Sequence, residues 1–199
     1  MKKFSIPFAT ILLAAAVWSC SDNTNYGSDV SDDTLSTTTT DTTNAMQTTP
    51  VNTTPLSRED SLFVMEAAMG SMMEVEAGNL AQQNGGSQRV KNFGAMMVRD
   101  HSQANNELKT LVTGRGIMIP DSLPADKRKH IEAMGKMKGK SFDSHYISMM
   151  KDDHKKDISK FEKQASSGTD AQLKDWATKT LPVLKMHRDS VEAISKAKN

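Results

Sequence analysis

The sequence predicts an all-α protein whose long helices form a four-helix bundle. Three observations support this fold class. Apolar residues recur at helical spacing throughout residues 57–199, capping and helix-ending signals separate the periodic segments, and no segment alternates convincingly enough to be a strand. A segment of this length is the size of one ordinary domain. We therefore expect one helical domain, preceded by a region of different composition.

Capping residues and glycines mark the ends of the predicted helices. Ser57 opens a capping box, Ser87 can cap the second helix and Ser141 the fourth, while Pro182 is expected to kink the last. The third segment is short and basic. Two hairpins joined by a longer connection that holds this short helix predict a four-helix bundle. The predicted helices cover residues 57–84, 87–114, about 124–138, 141–167 and 169 onwards.

Residues 1–20 have the features of a bacterial lipoprotein signal peptide. Two lysines precede a run of about fifteen mostly apolar residues. The segment Val17-Trp18-Ser19-Cys20 then resembles a lipobox, in which the cysteine is acylated. Cys20 is the only cysteine, so it cannot form an internal disulfide. The sequence predicts an exported protein, periplasmic or at the outer membrane, anchored by lipid at Cys20. A plain secretory signal that leaves a free thiol is the alternative.

Residues 21–56 are predicted to form a disordered tether. They are rich in Ser, Thr, Asp and Asn and poor in large apolar groups, so they cannot offset the entropy of ordering. The remaining domain, residues 57–199, holds 23 basic and 19 acidic residues. Export argues against a nucleic-acid partner, although a positive domain could contact an anionic envelope surface. No phosphate-binding loop or nucleophile elbow indicates an ordinary hydrolase or nucleotide enzyme.

Helical periodicity places polar residues on the apolar faces of the long helices, including Asp143 on the fourth helix. His101, His154 and His187 lie inside the apolar stripes of the second, fourth and last helices. Glu74 lies in a stripe of small residues on the first helix, where another helix could approach closely. At 1.5 Å rise per residue, these four groups can share a middle layer of the bundle.

Four sequence blocks are similar to the motifs of a known bacterial envelope family, domain of unknown function 4142. The blocks are EVEAGNLA, VKNFGAMMVRDHSQANNELKTL, FDSHYISMMKDDHKKDISKFE and LPVLKMH. The resemblance covers residues 58–193. It implies a ferritin-like fold in an exported or outer-membrane protein and no established activity. The residues that match the polar signature positions of the family are Glu74, Asp100, His101, Asp143, His154 and His187.

The inward-facing polar residues have two interpretations. Ferritin-like proteins commonly bind two irons through glutamates and Glu-x-x-His motifs, but no histidine here follows a glutamate by three residues. Three histidines with a carboxylate would instead suit zinc, copper or one iron. The other interpretation is a structural network of core histidines and carboxylates. The candidate metal ligands are Glu74, His101, His154 and His187, with Asp100, Asp143 and Glu76 as second choices.

The other histidines and the methionines are assigned no site. His145 falls on the polar side of its helix, and His130 lies in the short, ambiguous segment. Adjacent methionines point about 100 degrees apart on a helix, which favours core filling. A soft Cu(I) site that uses Met97, Met150 or Met186 is a minor alternative. The sequence favours a binding or structural role, with a metal-binding or metal-dependent oxidising protein as the rival hypothesis.

Overall fold

The computed structural model describes residues 52–197, which form five α-helices. Cys20 and tether residues 21–51 lie outside the described part of the chain. Apart from an isolated β-bridge between Gly85 and Gly139, the described residues contain no strand pairing. The all-α prediction is confirmed. None of the described helices is long and apolar enough to cross a membrane. The helices span Arg58–Asn84 (α1), Gln88–Val112 (α2), Ala125–Gly135 (α3), Gly139–Ser167 (α4) and Ala171–Lys196 (α5).

The four long helices pack as two hairpins, α1 with α2 and α4 with α5. The α1–α2 turn lies beside the start of α4, because Asp143 accepts hydrogen bonds from Gly86 N and Ser87 N. The end of α2 lies beside the α4–α5 turn, because Arg115 binds Asp170. Helices α2 and α4 therefore run parallel, and the connection that holds α3 crosses the length of the bundle against α1. One long crossover of this kind is typical of ferritin-like bundles.

The caps of α1 and α2 agree with the sequence prediction, whereas the cap of α4 does not. Ser57 and Ser87 accept hydrogen bonds from the first turns of α1 and α2, as predicted. The predicted cap of α4, Ser141, is wrong, since the helix begins at Gly139 and Lys138 occupies the cap position without a side-chain bond. Gly139 has a φ of 58°, a left-handed value that favours glycine. This glycine lets the chain enter the helix three residues earlier than a cap at Ser141 would.

Residues 52–56, which composition assigns to the tether, contact the bundle. Arg115 Nε donates to Thr54 O at 3.0 Å, and Leu56 packs against a cluster of buried apolar side chains that includes Phe63. Contacts with the helical domain extend back to Asn52, whose side-chain amide donates to Gln172 Oε1 at 3.3 Å. Composition could not show this, because the contacts use one backbone carbonyl, one apolar side chain and one side-chain amide.

Helices α1 and α2 approach each other closely at two glycines. A Cβ atom on Gly94 would lie 2.7 Å from the carbonyl oxygen of Gly78 and 2.7 Å from the Cβ of Ala81. No side chain fits in this space without moving a backbone. The close approach brings the middle of α1, which carries Glu74, against the middle of α2, which carries His101.

Two clusters of buried apolar side chains fill the bundle, and we call them the upper and lower clusters. Along each long helix, buried polar residues separate the upper cluster from the lower one. The upper cluster includes Phe93, Met97, Phe142, Tyr146 and Met150. The lower cluster includes Phe63, Leu108, Phe161, Trp176 and Leu184. The residues between the two clusters are Glu74, His101, His154 and His187, together with Ser71, which precedes Glu74 by three residues on α1.

Candidate metal centre

Each long helix contributes at least one buried polar side chain to a layer between the two apolar clusters. Glu74, His101, His154 and His187 are between 0% and 4% exposed. The centres of the three imidazole rings are 5.3 to 5.7 Å apart. One ring nitrogen from each histidine lies within 4.8 Å of one from each of the others. The fold thus brings together four of the residues that periodicity selected from the sequence.

The backbone of α4 fixes the protonation of His154. Its Nδ1 lies 2.9 Å from Met150 O, one helical turn earlier. A carbonyl oxygen can only accept, so Nδ1 carries the proton and donates it. Burial lowers the pKa of His154 to about 4, so the ring is neutral near pH 7. A neutral imidazole with its proton on Nδ1 has a lone pair on Nε2.

Asp100 fixes the protonation of His187 in the same way. His187 Nε2 lies 2.9 Å from Asp100 Oδ2. Burial raises the pKa of Asp100, but hydrogen bonds from Arg99 and His187 outweigh it and lower the pKa below its ordinary value. The carboxylate is therefore ionised and accepts the Nε2 proton. Burial lowers the pKa of His187, so its Nδ1 also has a lone pair.

These two lone pairs face each other. His154 Nε2 and His187 Nδ1 are 3.3 Å apart, and neither has a proton to donate while both rings are neutral. Two nitrogens that bind one tetrahedral ion at about 2.0 to 2.1 Å are about 3.3 Å apart. The separation of these two nitrogens therefore matches a pair of ligands on a single metal ion.

His101 supplies a third nitrogen with no protein partner. Its Nδ1 lies 3.0 Å from Glu74 Oε2 and 3.4 Å from Ser71 Oγ. Its Nε2 is buried and has no hydrogen-bond partner among the described residues. Burial, and then the neighbouring His154 and His187, hold the pKa of His101 well below its usual range. A buried nitrogen without a partner costs about 1 to 3 kcal/mol, which a bound ion would offset.

Glu74 lies behind two of the rings. Its carboxyl oxygens are 3.0 Å from His101 Nδ1 and 3.4 Å from His154 Nδ1, on the opposite side of the His154 ring from Nε2. Burial, together with Asp157 and Asp153, raises the pKa of Glu74 well above its usual range. This is the position of a carboxyl group that orients ligand histidines. It differs from the direct ligand role that the sequence suggested for Glu74.

A small cavity adjoins the histidines. Its volume is about 20 Å³, which is room for about one water molecule. Burial and Asp153 raise the pKa of Asp157 to about 6, although Lys160 opposes the shift. Sequence reasoning missed Asp157 and Ser71, yet each lies three residues from a selected residue and so on the same helix face. The polar residues that line the cavity are Ser71, Glu74, Asp100, His101, Asp157, Thr180 and His187.

The second-choice ligands lie in three different places. Asp100 contacts His187, as described above. Asp143 accepts hydrogen bonds from the α1–α2 turn and precedes His154 by eleven residues, which is about 16 Å along α4. Glu76 is half-buried and does not line the cavity. Asp143 thus anchors a turn, and the histidine layer does not include it.

The methionines suggested for a copper site show no sulfur contact with the three histidines. Met97 and Met150 are fully buried in the upper cluster, and Met186 is 41% exposed. Their positions fit the core-filling role for Met97 and Met150. The geometry of the layer therefore depends on imidazole and carboxyl groups.

One comparison with known proteins identifies a family. The sequence profile described as Domain of unknown function (DUF4142) matches residues 45–194, which is more than half of the chain. No curated protein and no solved structure matches the chain. The match includes all four polar residues of the layer and all five helices except the last residues of α5. The chain therefore belongs to the DUF4142 family.

Proposed function

We propose that this protein binds one transition-metal ion between His101, His154 and His187. The observation that carries the proposal is the pair of facing lone pairs on His154 Nε2 and His187 Nδ1, 3.3 Å apart. Facing lone pairs repel each other unless a cation lies between them. Burial lowers the pKa of both rings, which disfavours a proton in that position. A metal ion satisfies both nitrogens without charging either ring.

The surrounding groups support this role. Met150 O and Asp100 hold the protons of His154 and His187 on the nitrogens that face away from the other ring. Ligand histidines in metal sites commonly have such partners, which fix the tautomer and the ring orientation. If His101 joins these two, an ion that binds at about 2.0 Å draws its nitrogen inward by up to about 1.5 Å. The adjoining cavity leaves space for a water as the fourth ligand.

The donor set defines the class of metal. Three imidazoles suit zinc, copper or iron, and the carboxyl groups lie behind the rings instead of beside the ion. Because all three histidines are neutral near pH 7, they need not lose protons before they bind a cation. A hard cation such as Mg²⁺ or Ca²⁺ prefers oxygen ligands and is not expected to bind.

We expect the metal-free full chain to bind one Zn²⁺, measured by isothermal titration calorimetry. All variants carry Cys20→Ser, so that the thiolate does not contribute. His154→Ala and His187→Ala are expected to lose this binding. The control His145→Ala removes a histidine from outside the layer and is expected to retain it. At a free Zn²⁺ concentration of about 100 times Kd, binding adds about 2.7 kcal/mol to the free energy of unfolding.

The rival function is a structural network, supported by the fact that each long helix places at least one polar group in the same layer. Such a network fixes the register of the four helices without metal. In that case His154→Ala lowers the free energy of unfolding by about 1 to 3 kcal/mol whether or not metal is present. Equal wild-type melting curves with Zn²⁺, Cu²⁺, Fe²⁺ and chelator would rule out the metal function.

We further propose that the protein is exported and held at a membrane by lipid on Cys20. The proposal rests on the lipobox-like sequence around Cys20 and on the Ser- and Thr-rich segment that follows it. The excess of basic residues in the domain would favour an anionic envelope surface as a neighbour.

Replacing Cys20 tests the anchor. Cys20→Ser is expected to abolish incorporation of labelled fatty acid and to move the protein out of the membrane fraction, because the acyl chain has no other cysteine to attach to. Labelling and fractionation of cells measure both effects. Ser19→Ala, which keeps a small residue before the cysteine, is the matched control. Unchanged membrane partitioning of Cys20→Ser would contradict the anchor.

A further inference from the structure

A second group of metal-binding side chains lies outside the histidine layer, between α3 and α4. His130 on α3 and His145 on α4 have ring centres 5.5 Å apart. His130 Nε2 lies 3.3 Å from Met149 Sδ. His145 and Met149 are four residues apart on α4 and therefore lie on the same face of that helix. The crossover thus brings two imidazoles and a thioether together.

One nitrogen in this group lacks a partner. His145 Nε2 is buried and has no hydrogen-bond partner among the described residues. A buried ring nitrogen is expected to have a partner, as a donor or as an acceptor. All three side chains are half-buried, so the group lies at the edge of the bundle where an ion could enter from solvent.

The distances fit a shared ion. Two imidazoles on one ion with bonds of about 2 Å have ring centres about 5 to 6 Å apart, and the observed separation is 5.5 Å. A nitrogen and a sulfur on one tetrahedral ion are about 3.5 Å apart, close to the 3.3 Å between His130 Nε2 and Met149 Sδ. A small rotation of the Met149 side chain would bring its sulfur and the two imidazole nitrogens to bonding distance of one ion.

We propose that His130, His145 and Met149 form a binding site for Cu(I). The donor set decides the metal, because soft, uncharged thioethers select Cu(I) and are poor ligands for Zn²⁺. Among the described residues, no carboxylate or cysteine completes a three-ligand set with these two histidines. An uncharged set of two nitrogens and one sulfur suits a soft monovalent cation. The site shares no residue with the histidine layer and does not depend on it.

Anaerobic titration of the reduced full chain with Cu(I), in competition with a chromophoric Cu(I) chelator, tests the site. All variants carry Cys20→Ser, since a thiolate also binds Cu(I). Met149→Leu conserves volume, so the fold is expected to persist. We expect Met149→Leu and His145→Gln each to weaken Cu(I) binding at least tenfold. Met96→Leu is the matched control, because Met96 is also half-buried against the upper cluster.

X-ray absorption at the copper edge separates this site from copper bound in the histidine layer, which offers no sulfur ligand. We expect a sulfur scatterer at about 2.3 Å in the wild type and in Met96→Leu, and its loss in Met149→Leu. Absence of sulfur in the wild type, or its persistence in Met149→Leu, would overturn the proposal. Unchanged affinity in either Met149→Leu or His145→Gln would overturn it as well.

Discussion

Arg115→Ala is expected to lower the free energy of unfolding by about 3 kcal/mol, because it removes a buried guanidinium and leaves the half-buried carboxylate of Asp170 without its charged partner. Arg115 is 2% exposed, and its guanidinium donates to both carboxylate oxygens of Asp170. Hydrogen bonds from Arg115 hold the pKa of Asp170 below its ordinary value. The same side chain binds Thr54 O, so its loss also frees residues 52–56. Urea unfolding at pH 7 measures the change.

Two variants control for the loss of charge. Arg115→Lys keeps the positive charge but cannot form the bidentate hydrogen bond to Asp170, so we expect an intermediate loss of stability. Lys109→Ala removes an exposed ion pair, since Lys109 and Asp121 are 40% and 98% exposed, and is expected to cost less than about 1 kcal/mol. If Arg115→Ala costs no more than Lys109→Ala, the pair of Arg115 and Asp170 does not stabilise the lower end of the bundle.

The metal-free chain is expected to lose stability as the pH falls from about 6.5 to about 4. Burial lowers the pKa of His154 to about 4 in the folded chain, whereas an unfolded histidine has a pKa of about 6.5. Between these values the unfolded chain binds more protons, so stability falls as the pH falls. A shift of this size corresponds to about 3 kcal/mol for His154 alone. The lowered pKa values of His101 and His187 add to the loss.

Glu74 contributes to the pH dependence of stability with the opposite sign from the histidines, so a substitution there supplies a control. Burial raises the pKa of Glu74, so above its ordinary pKa the folded chain binds more protons and stability falls as the pH rises. We expect the free energy of unfolding to fall more steeply with decreasing pH in Glu74→Gln than in the wild type, and less steeply in His154→Gln. Urea unfolding at pH 7, 5.5 and 4.5 measures these slopes, and His145→Ala is the neutral control. Equal wild-type stability at pH 7 and 4.5 would contradict the prediction.

Bound Zn²⁺ links this pH dependence to the proposed function. The ion competes with protons for the histidine nitrogens, so it is expected to hold the chain folded at lower pH than chelator does. In His187→Ala, we expect the stability at low pH to be the same with Zn²⁺ as with chelator. Because the histidines are neutral at pH 7, the ion adds stability at that pH as well. The gain at pH 7 and the protection against acid are therefore measured separately.

The long-range pattern of the sequence predicted the fold and most of the histidine layer. The period of the apolar residues and the signals at Ser57 and Ser87 determine where α1 and α2 lie. Periodicity also determines that His101, His154 and His187 face inward, since a residue's direction on a helix depends only on its position along the chain. The absence of a Glu-x-x-His motif argued against a carboxylate di-iron centre.

Only the tertiary structure decided what these groups contact. The role of Glu74 behind the rings, the orientation of His187 by Asp100 and the position of Asp143 at the α1–α2 turn depend on distances between helices. The pairing of His130 with His145 depends on the path of the crossover past α4. A helical period specifies the direction of a side chain to within a face of about 100 degrees. Hydrogen bonds and metal ligation require distances accurate to a few tenths of an ångström, and these are set by how the helices pack.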